Sequence, residues 1–434
     1  PTPSRMSGDF NIAVAETGQQ DANGALESSK DGQQLGQWIF TELQNEYQNL
    51  PQEFDVQVWH DGPELAAKNV TIGLVADDEA AAQLANEINA NLVIYGNLVG
   101  PENAANFTPK FYVKPLQGEA GELDELKGPY QLGAPIPIPI PLDTGDPVLI
   151  ASLKPEVSLR AKALRWFTIG LIWDLAGQTV KALTTFQQAE QELKEWGEKN
   201  QGKEILYYFI GREALFLSRT ESEAQKVFAS AEEARATAEA YFQKALSSNP
   251  DYARADIGLG SVYFQRAQRQ SPEARLAGPD LDQAISYYEQ ATANAPSLPG
   301  DQVKHEARFG LAVAYQLKGD AYFQLGVYDE ANTYFEWTIR EMQALVAPLT
   351  AAKQQRSLGH IYLALGVAYN QQAIMRQNQG DKAGSLALYQ KAQEAYANCI
   401  AQRNPADKLL KNIIETYCQP YHDKADKARQ ALEG

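Results

Sequence analysis

Side chains that could perform catalysis or bind a metal are scattered along this sequence. The four histidines stand at positions 60, 305, 360 and 422, and no pair has the His-x-x-x-His spacing that places two imidazoles on one helix face. The sequence contains neither a G-x-x-x-x-G-K-S/T phosphate loop nor a G-x-S-x-G nucleophile motif. We therefore expect a non-enzymatic protein with no catalytic residue, no cofactor and no metal site.

Two smaller groups of reactive side chains have structural explanations. The acidic run Asp77–Glu79 lies at the start of a predicted helix. Carboxylates there would cap the N-terminus of the helix and stabilise it through the helix dipole. Cys399 and Cys418 fit no metal spacing. They flank Pro405, so they could lie on neighbouring antiparallel helices and form a disulfide, although two separate buried thiols are the favoured interpretation.

Charge and length limit the classes of partner. The chain has 434 residues, enough for two or three domains, and a net charge of −17. Binding to nucleic acid needs a basic surface that displaces counterions from phosphates, and an anionic bilayer also repels an acidic chain. The sequence has no run of 18 apolar residues. We expect a protein or peptide partner, which includes other copies of the chain, with no nucleic acid and no membrane insertion.

A helical-hairpin pattern recurs five times between residues 160 and 405, so it determines the fold of most of the chain. In the clearest copy, Gly170 and Trp173 share one face of a first helix, while Ala182 and Phe186 share one face of a second. The small residues let two backbones approach, and the large ones fill the space between them. Each copy thus has a hairpin glycine on its first helix and a hairpin aromatic on its second.

The hairpin glycines are Gly170, Gly211, Gly260, Gly319 and Gly366, and the predicted hairpin aromatics are Phe186, Phe242, Tyr288, Phe335 and Tyr389. This pattern resembles the tetratricopeptide repeat (TPR), whose period is about 34 residues. The resemblance implies an all-α, TPR-like solenoid that binds proteins. The interval from the glycine to the first small residue of the second helix is 12 residues in the first copy but 27 in the second, so the superhelix shape does not carry over. Pro250 and Pro296 would end two of the copies.

Residues 9–142 have a different pattern, in which apolar strands and amphipathic helices alternate. The predicted elements in chain order are Phe10–Ala15, Asp31–Leu50, Phe54–Trp59, Glu79–Asn89, Leu92–Gly96 and Phe111–Val113. Such an alternation predicts a small α/β sandwich with helices packed on a sheet. The predicted fold class is therefore α+β multidomain, an N-terminal α/β sandwich followed by the solenoid.

The order of these N-terminal elements resembles the α/β domain of TolB-like and curli-secretion-lipoprotein-like proteins. The matching stretches are Asn11–Ala15, Gly32–Leu43 and Ala90–Val99. Members of that family join this domain to tetratricopeptide repeats in envelope-associated proteins. The family domain is not catalytic, so the resemblance implies no active-site residue.

The first residues bear on location. Pro1–Ser4 precedes Met6 and has the composition of an extended linker. This favours an upstream signal peptide or anchor and an extracellular or periplasmic protein, with a boundary inside a larger soluble protein as the alternative. Asn69 and Asn106 match the N-glycosylation triplet, a pattern that often arises by chance.

The segment Pro135–Pro141 alternates proline with isoleucine. In an extended strand, Ile136, Ile138 and Ile140 offer their N–H and C=O groups on one edge, while the prolines have no N–H for the other. The favoured interpretation is an edge strand of the chain's own sheet. A spacer before the repeats and donation into another molecule's sheet are the alternatives.

The inner face of the first helices is the expected partner surface. Its candidate residues are Phe167, Leu171, Tyr208, Arg212, Ile257, Phe264, Asp320, Phe323, Leu363 and Asn370. The alternative is that irregular helices bend inward and bury these largely apolar side chains.

The predicted organisation has five parts: a linker remnant (1–8), the α/β domain (9–142), a linker (143–159), the solenoid (160–405) and a C-terminal capping helix (406–434). The leading hypothesis is an exported or envelope-associated scaffold for protein–protein interaction. A self-assembling oligomer or extracellular filament, joined through solenoid ends or the Pro-Ile strand, is the second hypothesis. A ligand-sensing module of a membrane-anchored receptor is the third.

Overall fold

A computed structural model describes residues 5–20, 25–47, 54–67, 69–101, 104–114, 126–193, 202–295 and 302–433. The strands are β1 (Phe10–Val14), β2 (Gly18–Gln20), β3 (Leu26–Glu27), β4 (Val56–His60), β5 (Leu92–Val99), β6 (Ala104–Val113), β7 (Gly128–Gln131) and β8 (Ile136–Pro139). The helices are α1 (Lys30–Tyr47), α2 (Pro63–Ala66), α3 (Asp78–Glu87), α4 (Pro147–Leu175), α5 (Thr179–Glu192), α6 (Lys203–Leu217), α7 (Glu221–Ala224), α8 (Ala231–Ser248), α9 (Ala253–Gln268), α10 (Pro272–Ala277), α11 (Asp280–Asn294), α12 (Gln302–Gln324), α13 (Tyr328–Ala351), α14 (Gln355–Asn378), α15 (Lys382–Ala401), α16 (Lys408–Ile413) and α17 (Gln419–Glu433).

This element order confirms the predicted fold class, a small N-terminal sheet region followed by helical hairpins. The described residues divide into two compact units, an N-terminal unit up to Pro250 and a C-terminal unit from Asp251. Of the predicted features, Pro1–Ser4 and Pro296 lie outside the described residues. No helix within the described ranges is both long and apolar enough to span a membrane.

The sheet is built around β1, whose five residues are all buried. β1 pairs in parallel with β4 on one side and with β5 on the other. β6 continues the sheet antiparallel to β5, and β7 and β8 both pair with the outer edge of β6. A strand with parallel neighbours on both sides is covered on both faces, which explains why β1 is buried throughout and apolar except at Asn11.

The Pro-Ile segment forms β8, an edge strand of the chain's own sheet. Ile136 pairs with Phe107 of β6, and Ile138 pairs with Ala105. Both isoleucines are buried, Ile140 is half-buried and packs on the same cluster, and the intervening prolines face solvent. The pairing edge of β8 is therefore occupied by β6, so in this structure the segment is neither a spacer nor a strand offered to another molecule.

Helix α4 begins inside the predicted linker. Asp146 caps it by accepting a hydrogen bond from the backbone N–H of Val148, at 2.9 Å. Pro147 occupies the first turn, where its missing N–H leaves no helical bond unmade. The stretch 143–159 is thus helical from Pro147 onward, and the exposed Pro155 does not end the helix.

The C-terminus covers the last hairpin, and a π-helical turn (Ile414–Cys418) joins α16 to α17. Ala425 of α17 is buried in a cluster with Tyr396 and Ala392 of α15. Cys399 and Cys418, with Cα atoms 6.2 Å apart, form a disulfide between α15 and the π-helical turn. Two separate thiols were the favoured interpretation of the sequence, because residue spacing alone does not give the distance between the two cysteines across the Pro405 break.

Candidate functional site

The hairpin glycines bring paired helices into direct contact with aromatic rings. A Cβ built on the glycine would lie 2.3 Å from Phe186, 2.8 Å from Phe242, 2.8 Å from Tyr288, 2.9 Å from Phe335 and 2.4 Å from Tyr396 in the five hairpins. These distances are far below van der Waals contact, so each ring occupies the space that a side chain would need. The predicted hairpin arrangement is therefore present in all five copies.

The fifth hairpin uses a different aromatic from the predicted one. Gly366 contacts Tyr396, whereas Tyr389 is buried nearby and donates to the side-chain carbonyl of Gln377 at 3.1 Å. The two tyrosines are seven residues apart, which is about two helical turns, so they share one face of α15. Spacing alone could not decide between them, and the choice of Tyr389 was wrong.

Four of the predicted partner-binding residues belong to the core of the N-terminal unit. Phe167 is fully buried, and its ring stacks on Phe111 of β6 with centroids 5.8 Å apart. Leu171 and Tyr208 are also buried, and the Tyr208 ring lies 6.1 Å from that of Phe242. Phe167 packs on the sheet and Tyr208 packs on α8, and all three residues are buried, so they are not available to a partner.

Arg212, the fourth residue, lies in a buried cluster of charges. Its guanidinium donates to Asp174 at 2.9 Å and to Glu213 at 2.5 Å, and it stacks over the ring of Phe216. Arg212 and Glu213 are nearly inaccessible to solvent. A buried cation with two carboxylates in contact is compensated within the chain, so Arg212 has a structural role.

The remaining six candidates lie on the first helices of the C-terminal unit. We call them the first-helix face: Ile257 and Phe264 of α9, Asp320 and Phe323 of α12, and Leu363 and Asn370 of α14. Helix α12 contacts both α9 and α14, so the face is continuous across three helices. All six side chains are half-buried, and thus each keeps some surface that a partner could reach.

Asp320 is the most unusual member of this face. Its Oδ1 atom is buried and has no hydrogen-bond partner among the described residues. Burial raises the pKa of Asp320 to about 6, and the positive charge of Arg275 opposes that rise. The Arg275 guanidinium itself donates to backbone carbonyls at the end of α9, including that of Ala267 at 3.0 Å. Asp320 is therefore a poorly compensated carboxylate within a largely apolar surface.

Sequence reasoning identified Asp320 but not Arg275. Arg275 lies on α10, in the interval that lengthens the third hairpin, where the repeat pattern assigns no residue. The glycosylation candidates Asn69 and Asn106 are both exposed. The described ranges contain no group of three or more His, Cys, Asp or Glu side chains that could hold a metal ion.

Comparison with known proteins supports the hairpin assignment. Residues 312–336 match the family model for the tetratricopeptide repeat. The match covers the end of α12 and the start of α13, the TPR copy in which Gly319 and Ala331 have the same 12-residue interval as the first copy. The copies with enlarged intervals lie outside it.

Two further comparisons complete this result. The chain is similar to a crystal structure of a thermophilic TPR protein from Thermus thermophilus, with 19% sequence identity and a TM-score of 0.29. That similarity covers 57% of this chain and 94% of the other chain. No curated protein matches the chain.

Proposed function

We propose that this chain is a non-enzymatic scaffold that binds a protein partner through the first-helix face of its C-terminal unit. Tetratricopeptide repeats generally mediate protein–protein interaction. The observation that supports this face is the buried carboxylate oxygen of Asp320 next to half-buried apolar side chains such as Phe323. A partner that covers the face removes apolar surface from water, and a positive charge on the partner next to Asp320 offsets the cost of its poorly compensated carboxylate.

The chemistry of the face also defines the partner. Ile257, Phe264, Phe323 and Leu363 offer apolar surface, which suits a segment with large apolar side chains. Asp320 favours a lysine or arginine at the contact, because its carboxylate is poorly compensated and attracts a nearby positive charge. The net charge of −17 would speed association with a basic segment. We propose a peptide segment that combines apolar and basic residues.

The test is selection of displayed peptides on the full chain, followed by affinity measurement with fluorescence polarisation. Phe323→Ala and Asp320→Asn should each weaken binding of a selected peptide by about tenfold or more, as central contact residues do. Val227→Ala is the matched control, since Val227 is an apolar residue of the N-terminal unit that is 41% exposed. Circular dichroism should show unchanged helix content in all three variants.

Two results would contradict this proposal. Selected peptides rich in Asp and Glu would exclude the role given to Asp320. Equal affinity for the parent and for Phe323→Ala would place the binding surface elsewhere on the chain.

We further propose that the protein works in an oxidising compartment, outside the cytoplasm or in the cell envelope. The disulfide between Cys399 and Cys418 supports this, because such bonds persist in secreted and periplasmic proteins and are rare in the cytosol. The resemblance of the N-terminal domain to TolB-like proteins is consistent with it. Mass spectrometry of the natural protein after alkylation is the test. Two alkylated cysteines in material from its native compartment would refute the proposal.

A further inference from the structure

A polar cleft of about 690 Å³ lies on the N-terminal unit, apart from the first-helix face. It opens beyond the carboxyl ends of β1 and β4, where Glu16 follows β1 and His60 is the last residue of β4. Val14 and His60 are paired neighbours in these parallel strands, so the two strands end together. The volume falls within the range of about 300–1,000 Å³ that small-molecule sites occupy.

The strand direction gives a general reason for a site here. β1 and β4 run in parallel, so their carboxyl ends lie at the same edge of the sheet. In open α/β sheets, ligands commonly bind in a crevice outside the carboxyl ends of the strands.

Helix α1 forms one wall of the cleft because two glycines bring it close to the end of β1. A Cβ on Gly32 would lie 1.9 Å from the carbonyl oxygen of Thr17, and one on Gly36 would lie 3.4 Å from that of Ala15. The helix therefore rests directly on the backbone. It presents an amide, an aromatic ring and a hydroxyl to the cleft from Gln37, Trp38 and Thr41.

The charges of the cleft argue against an anionic ligand. Among the residues that the structure describes, its lining contains two carboxylates, Glu16 and Asp61, and no lysine or arginine. Both carboxylates already have partners: Asp61 accepts from the backbone N–H groups of Ile72 and Gly73, and Glu16 accepts from the hydroxyl of Ser28. Because the chain itself compensates these charges, a cationic ligand is not required either.

The remaining polar groups suit a ligand with many hydroxyls. The exposed side chains of Gln33, Gln37, Thr41 and Thr144 line the cleft with amides and hydroxyls. The Nδ1 of His60 lies 2.9 Å from the carbonyl of Val14 and must donate to it, so Nε2 of the neutral ring is an acceptor. Amides, hydroxyls and this imidazole nitrogen pair with groups that both donate and accept, and the half-buried Trp38 ring offers an apolar surface.

We propose that this cleft binds a neutral saccharide of one or two sugar rings. The hydroxyl groups of the sugar donate to His60 Nε2 and accept from the amide of Gln37. The C–H face of one ring packs on Trp38. This inference concerns a different unit from the proposed protein-binding face, so either one can fail without the other.

The experiment titrates the full chain with a panel of neutral disaccharides, namely maltose, cellobiose and diacetylchitobiose, by isothermal calorimetry. Spermidine and citrate are the cationic and anionic probes. We expect at least one disaccharide to bind at millimolar or tighter affinity and neither charged probe to bind. Gln37→Ala should weaken that binding at least tenfold, and Trp38→Ala should abolish it.

Gln44→Ala is the matched control, since Gln44 is an exposed residue of α1 outside the cleft. Trp38 also packs against the core, so Gln37→Ala, which changes an exposed side chain, provides the test if Trp38→Ala fails to fold. The proposal is overturned if no disaccharide binds, or if Gln37→Ala binds as tightly as Gln44→Ala. Binding of spermidine alone, lost in Glu16→Gln, would make the cleft a cation site and would equally overturn it.

Discussion

Replacing Asp320 by asparagine should stabilise the C-terminal unit while weakening partner binding. Burial raises the pKa of Asp320 to about 6, which means that the folded protein disfavours the ionised carboxylate that is present at pH 7. Asparagine has nearly the same shape and no charge. Arg275, the cation that faces Asp320, keeps its bonds to the carbonyls at the end of α9 in the variant.

The magnitude follows from the size of the shift. The pKa rises from 3.8 to about 6, roughly two units, and one unit corresponds to about 1.4 kcal/mol. The side chain is only half-buried, so solvent screening lowers the full value of about 3 kcal/mol, and we expect a gain of about 1–2 kcal/mol. The sign depends on pH. Because the pKa of Asp320 is raised in the folded protein, its ionised form lowers the free energy of unfolding. This destabilisation is fully present above pH 6 and disappears as pH falls from 6 toward 4.

Hydrogen exchange measured by mass spectrometry on peptides from α12 is the assay. At pH 7, Asp320→Asn should slow exchange about 5- to 30-fold relative to the parent, and at pH 4 the two proteins should exchange alike. Glu394→Gln, which changes an exposed carboxylate on α15, is the control and should match the parent at both pH values. Faster exchange in Asp320→Asn at pH 7, or a gain that persists at pH 4, would refute the reasoning.

Three further predictions follow from the packing. Phe186→Ala should destabilise the N-terminal unit by about 3–5 kcal/mol in urea unfolding because Phe186 is fully buried, and the half-buried Trp173→Ala should cost less; equal costs would contradict the hairpin packing. Ile138→Pro should unfold the N-terminal sheet, since it removes a β8 donor that faces β6; cooperative melting like the parent's would contradict this pairing. Cys418→Ser should lower the stability of the C-terminal unit by about 3 kcal/mol, as expected for a closed loop of this size, and a melting temperature unchanged by the variant would show that the bond is not formed.

Features that depend on local backbone contact were predictable from the sequence. A hairpin glycine is needed wherever an aromatic ring of the next helix takes the place of a side chain, as Phe186 does at Gly170. The types of these residues and their spacing therefore predict the contact between the two helices. β1 was equally clear, because a strand covered on both faces has only apolar or small residues over most of its length.

Features that depend on distant contacts were not predictable. The stacking of Phe111 on Phe167 joins a strand to a helix that follows it by more than one element, and no local periodicity marks such a contact. The cleft also depends on contacts between residues that are distant in the sequence. Glu16, Gln34 and His60 come together only because β1 and β4 pair in parallel with α1 across their ends. Each of these residues is ordinary in its own segment.

The two units show why apolar character alone did not identify the binding surface. In the N-terminal unit Phe167 and Leu171 are buried within the chain, and the charge of Arg212 is paired with Asp174 and Glu213. In the C-terminal unit the corresponding helices carry Asp320 and Asn370 among their apolar residues, and no side chain of the described residues satisfies the buried oxygen of Asp320. A face that the chain fills by itself can pair its charges internally, because its contacts are fixed during folding. A face that must stay soluble until a partner arrives needs polar groups, and a poorly compensated carboxylate among them favours a partner that brings a positive charge.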